Sequence, residues 1–103
     1  MPLLTRKWPF LDYVVASSPT DEGVFALWQD QEMLLVALTD RSGGIRGSLT
    51  QHFKGAHGEI TRRADHFSWE LLERAEAEKR RDEVLAAFEK THGRPPAGQK
   101  RNA

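Results

Sequence analysis

Residues 23–39, GVFALWQDQEMLLVALT, form two apolar runs around a polar centre. Val24, Phe25, Leu27 and Trp28 predict one strand, and Met33 to Leu38 predict a second. QDQE between them is polar enough for a hairpin turn, although it lacks the Asn-Gly pair that favours the tightest turns. The second run is apolar at nearly every position, which predicts cover on both faces and marks it as the central strand of the core.

Ahead of the hairpin, Pro9 suits a first helical position, and Leu11, Val14 and Val15 follow helical spacing. They predict a short helix ended by Ser17, Ser18 and Pro19, although Tyr13 to Val15 also favours extended structure. Beyond the hairpin, Ser42 is placed to cap a helix from about Gly43 to Phe53, with Ile45, Leu49 and Phe53 in one apolar stripe. Gly55 and Gly58 break the chain. HFSWELL alternates Phe67, Trp69 and Leu71 on one face and predicts a third strand. From about Glu73 to His92 the residues are strong helix formers, with Ala77, Val84, Leu85 and Phe88 as the buried stripe. Gly93 and the following RPP end that helix. The expected fold class is therefore α+β, a small three-stranded and mostly antiparallel sheet flanked by helices. Residues 1–94 make a single domain with residues 1–8 as an N-terminal arm, and 95–103 are expected as a flexible tail.

Composition narrows the chemistry. At 103 residues the chain supports one modest core. It has no cysteine, which excludes disulfides, thiolate zinc sites and cysteine nucleophiles. Its longest apolar run is far short of the ~20 residues that span a bilayer, and no signal-like stretch opens it, so no membrane partner and a cytoplasmic location are expected. Fifteen basic and fifteen acidic residues cancel, but they are unevenly placed. Arg41, Arg46, Lys54, Arg62 and Arg63 are opposed in their stretch by Glu59 alone, a local basic patch able to meet a phosphate backbone.

The order and spacing of these segments resemble the GIY-YIG nuclease superfamily across residues 19–96. GVF at 23–25 and LVA at 35–37 take the places of the two name-giving triplets. IRGSLTQH at 45–52 takes the place of the next helix, and RRDEVLAAFEKTHGRPP resembles the closing helix and turn of small members. The resemblance implies phosphodiester hydrolysis with one divalent cation, usually magnesium. Two tyrosine hydroxyls would handle protons, an arginine would stabilise phosphate charge and a glutamate would ligate the metal.

Carried over by position, the first tyrosine falls on Phe25, the second on Leu35 and the arginine on Ser48. Phenylalanine and leucine have no hydroxyl, and serine brings no positive charge. Arg46 precedes Ser48 by two residues and so points about 200° away on a helix. The glutamate matches Glu83, the one candidate metal ligand, and His52 matches the last helix position. General acid–base groups contribute ~10²–10⁴-fold each, so the expectation is a catalytically impaired domain that binds nucleic acid or a protein partner. The alternative is an active magnesium-dependent endonuclease, acting on DNA or RNA, with Tyr13 and Arg46 as stand-ins.

Other candidate chemistry is weaker. His52, His57, Asp65 and His66 match no tight zinc spacing and read as a packed helix end and loops. DRSGGIR offers amides at a helix start as a seat for an anion. Trp8, Trp28 and Trp69 would stack on bases if exposed, with Trp8, beside Arg6 and Lys7, the foremost surface aromatic.

Overall fold

The computed structural model describes residues 2–40 and 43–99. Nine elements follow in order: α1 (Pro2–Thr5), β1 (Trp8–Pro9), α2 (Asp12–Ala16), β2 (Gly23–Gln29), β3 (Glu32–Leu38), α3 (Gly44–Phe53), α4 (Glu59–Arg62), β4 (His66–Leu71) and α5 (Arg74–His92). The fold is α+β with an antiparallel sheet of four strands rather than three, ordered β1-β4-β2-β3. The added strand comes from the segment expected to be one helix. Pro9 cannot donate to a ladder, so it takes the sheet edge opposite His66, and the helix starts only at Asp12.

Alternation sends the strands' side chains to two cores. Phe25, Leu27, Leu35, Ala37 and Phe67 meet Phe10, Val15, Ile45 and Leu49 on the α2–α3 side. Val24, Ala26, Trp28, Met33 and Val36 meet Leu3, Ala77, Val84 and Phe88 on the α1–α5 side. Between Leu27 and Trp28 the pairing shifts by one residue, so Leu34 and Leu35 both reach the α3 side. The described part of the expected arm, residues 2–8, is thus packed on the domain, since Leu3 is wholly buried and its carbonyl accepts the Ser68 hydroxyl.

The apolar run of β3 does have both faces covered, yet β3 is an edge strand and β2 and β4 are the inner ones. Its outer edge is closed by residues 95–99, the first part of the expected tail. Pro96 is buried, the Gly98 N–H donates to the Leu34 carbonyl at 2.7 Å, and Gln99 stands in for a neighbouring strand. The Gln99 amide accepts the Val36 N–H at 3.1 Å and donates to the Val36 carbonyl at 2.9 Å. The outer edge of β3 is therefore occupied at Leu34 and Val36. Gln99→Ala should cost about 1–2 kcal/mol in chemical denaturation and speed hydrogen exchange at the Val36 amide.

The hairpin manages without Asn-Gly because a distant side chain holds it. Asp30 sits at φ 57, and its N–H donates to both Asp65 carboxylate oxygens at 3.0 and 2.9 Å. Burial pushes the Asp65 pKa up, but the hydrogen bonds from His66 and Asp30 outweigh it and hold the carboxyl below its usual range. A depressed pKa means stability present above the unfolded value of about 3.9 and lost as pH falls through the folded value. Asp65→Ala should thus cost about 1 kcal/mol at neutral pH, and the difference from wild type should shrink steadily below about pH 4 in urea titrations.

Candidate functional site

A cavity of about 470 Å³ opens between the outer half of β3, α3 and the edge-facing side of α5. Leu35 and Ala37 line it from β3, and Ser48, Gln51 and His52 from α3, because period-two and period-four spacing turn these positions the same way. Arg74 and Arg81, two turns apart on α5, reach it around the edge of β3, and Gly98 forms part of the rim. Leu35 and Ser48 thus share one cleft. Phe25 lies beneath it, 1% exposed, with its ring edge-on to His52 at 5.6 Å.

Polar groups in the cleft are tied into a chain. The His57 Nε2–H donates to Gln51 Oε1 at 3.0 Å, and Gln51 Nε2 donates to Asp40 Oδ2 at 2.8 Å. The His52 and His57 rings lie 4.3 Å apart, and His52 Nδ1 meets the Thr61 hydroxyl at 3.0 Å. Ser48 Oγ accepts the Asp40 N–H at 3.2 Å. Arg74 donates to the Thr39 carbonyl at 2.9 Å, and Arg81 Nε to Asp82 at 3.1 Å. Among the residues lining the cleft, two guanidinium groups and two imidazoles face a single carboxylate, Asp40.

Glu83 is not part of this constellation. It is exposed on α5 next to Val84, whose side chain packs into the α1–α5 core, and it does not line the cleft. Magnesium asks for several oxygen ligands, and one carboxylate beside two arginines is a poor donor set for it. Among the described residues no three His, Asp or Glu side chains gather as a metal would require. The donor set therefore does not fit the divalent cation that the resemblance implies.

The expected basic patch divides. Arg46 is exposed near the start of α3, where its Nε donates to the Ser18 carbonyl at 2.8 Å. Lys54 caps the other end of α3, Arg62 lies over Gly55 and pairs with Glu59 at 3.3 Å, and Arg63 caps α4. None of these four lines the cleft. Arg41, the fifth, and Ser42, the expected cap, lie outside the described residues. Tyr13 and Arg46, the expected stand-ins, do not line the cleft with Leu35 and Ser48: Tyr13 lines a separate groove, and Arg46 is bonded to the Ser18 carbonyl.

Of the anion seat expected at DRSGGIR, Arg41 and Ser42 lie outside the described residues, and the described start of α3 does not offer two of its amides. Its Ile45 and Arg46 N–H groups are taken by the carbonyls of Asp21 at 3.0 Å and Pro19 at 2.9 Å. His52 packs at 7% exposure and His57 sits in a loop, as expected, whereas His66, also expected in a loop, opens β4 and pairs with Pro9 and Trp28. Trp28 is buried, and its Nε1–H reaches the Ser68 hydroxyl at 3.0 Å.

Arg74 and Arg81 are the site residues that sequence inspection missed. They sit on a strongly charged helix with no pattern that separates a cleft-facing arginine from a solvated one. Their seven-residue spacing, two turns on one face, was the available signal. No family model matches the chain, and no curated protein matches it. Among the described residues no helix is long and apolar enough to cross a membrane.

Proposed function

We propose that the chain is a degenerate GIY-YIG-like domain that holds nucleic acid by its phosphates and leaves it intact. One observation carries this: the cleft over Leu35 and Ser48 is open and walled by Arg74 and Arg81, while the positions matched to the two tyrosines and the arginine carry Phe25, Leu35 and Ser48. Guanidinium groups are fixed forks of donors suited to phosphate oxygens, and a low-dielectric floor of Leu35 and Ala37 strengthens their pull. Hydrolysis would also need a proton acceptor for water and a stabiliser of the developing charge, set in line with the ester. Carbon occupies those places at Phe25 and Leu35, and a neutral hydroxyl occupies the third at Ser48.

The test is a pair of assays on the whole chain with end-labelled DNA and RNA. Binding at 50 mM salt should weaken steeply by 200 mM, because each phosphate contact releases a counterion. Denaturing electrophoresis after incubation with magnesium should show full-length strands only. Magnesium-dependent fragments that vanish in Glu83→Ala would establish the endonuclease instead.

A further inference from the structure

A second groove, of about 460 Å³, lies on the other end of the sheet and shares no residue with the cleft. Its walls are Trp8 and Pro9 of β1, Tyr13 and Val14 of α2, and Phe67 and Trp69 of β4. Most aromatic rings in this fold are deeply buried, Phe25 and Phe67 at 1% exposure, and Phe53 and Trp69 are partly buried. Trp8 and Tyr13 are instead 39% and 68% exposed. A ring that leaves so much face in water contributes little to the core.

Positive charge stands beside two of the groove's lining residues, Trp8 and Ser18. The Arg6 guanidinium lies 5.8 Å from the Trp8 ring centroid. Arg46 donates to the carbonyl of Ser18, itself a groove residue, which sets the guanidinium beside the groove. The neighbouring acid, Asp12, is turned back on the backbone, where its Oδ1 accepts the Tyr13 N–H at 2.7 Å. Flat apolar faces beside two cations match a chain of flat bases joined by phosphates. A duplex hides its base faces in the stack, whereas a single strand presents them.

We propose that this groove binds unpaired nucleotides, their bases stacked on Trp8 and Tyr13 and the flanking phosphates on Arg6 and Arg46. The inference rests on the reading that the ligand is nucleic acid, but it concerns a separate surface, and the two fail separately. It makes the protein selective for single-stranded over double-stranded nucleic acid.

Tryptophan fluorescence of the whole chain, titrated with a twelve-residue oligothymidylate and with a twelve-base-pair duplex, tests it. The single strand should quench and bind more tightly than the duplex. Trp8→Ala with Tyr13→Ala should weaken single-strand binding by roughly tenfold or more and leave duplex binding unchanged. Tyr13→Ala alone alters a side chain outside the core and should show part of that loss, while Tyr13→Phe, which keeps the ring, should restore it. Unchanged single-strand affinity in both alanine variants overturns the proposal, as does an equal loss for duplex. Quenching by a proline-rich peptide, with none by oligothymidylate, also overturns it. Loss confined to Arg74→Gln with Arg81→Gln would overturn the groove and keep the cleft. Loss confined to the aromatic variants would keep the groove and remove the cleft.

Discussion

Alanine at Gly44 will cost the domain about 3–5 kcal/mol and lower its melting temperature by roughly 15 °C or more. Gly44 stands at φ 58, and a Cβ there would lie 2.2 Å from the Thr20 carbonyl oxygen and 2.4 Å from that of Asp21. The approach is close because the 19–21 segment caps α3, accepting the Ile45 and Arg46 N–H groups through Asp21 and Pro19. A side chain at this φ costs about 1–2 kcal/mol by itself. Relieving the clash breaks both capping bonds, each about 0.5–1.5 kcal/mol, and shifts Ile45 and Leu49 out of the core. Gly93→Ala is the matched control, since Gly93 has φ 73 but nothing within 4 Å of its added Cβ, and it should cost only about 1 kcal/mol. Equal melting temperatures for the two variants would contradict this account of how α3 begins.

Reversing the charge of the cleft wall should have the largest effect on binding. Arg74→Glu with Arg81→Glu should weaken oligonucleotide affinity on the order of a hundredfold at low salt and reduce the slope of log affinity against log salt by about 2. The fold should survive. Arg74 is half-exposed and pairs with Glu78 at 3.6 Å, and Arg81 pairs with Asp82 at 3.1 Å, contacts that contribute about 0–1 kcal/mol each. Circular dichroism and anisotropy on the same samples check both statements. An unchanged salt slope would mean that phosphates bind elsewhere.

The long elements were legible in the sequence because each carries its own period. The two hairpin strands, the α3 stripe of Ile45 and Leu49, the alternation of Phe67 and Trp69, and the polar α5 with its buried Ala77, Val84 and Phe88 all lie where their patterns put them. What failed depends on contacts between distant segments. A strand apolar on both faces looks the same whether a strand or a tail closes its edge, so β3 passed for central until Gln99 is seen paired with Val36. Trp8–Pro9 is too short for any period, and α4 has a single turn. In the cleft, Leu35 and Ser48 were named by the resemblance, not by any period of their own. Arg74 and Arg81 were hidden among the other charges of α5, and only the wrap of that helix around the sheet edge turns them inward. Glu83 shows the converse, a residue matched by order along the chain that folding sends to another surface.

One time course tests the central claim most directly. A fluorescein-labelled oligonucleotide is mixed with excess protein in magnesium at low salt, and its anisotropy is followed for hours. The account predicts a rise to a plateau that stays level and is the same in EDTA, the signature of binding without cutting. No rise, or a rise that decays only when magnesium is present, would contradict it.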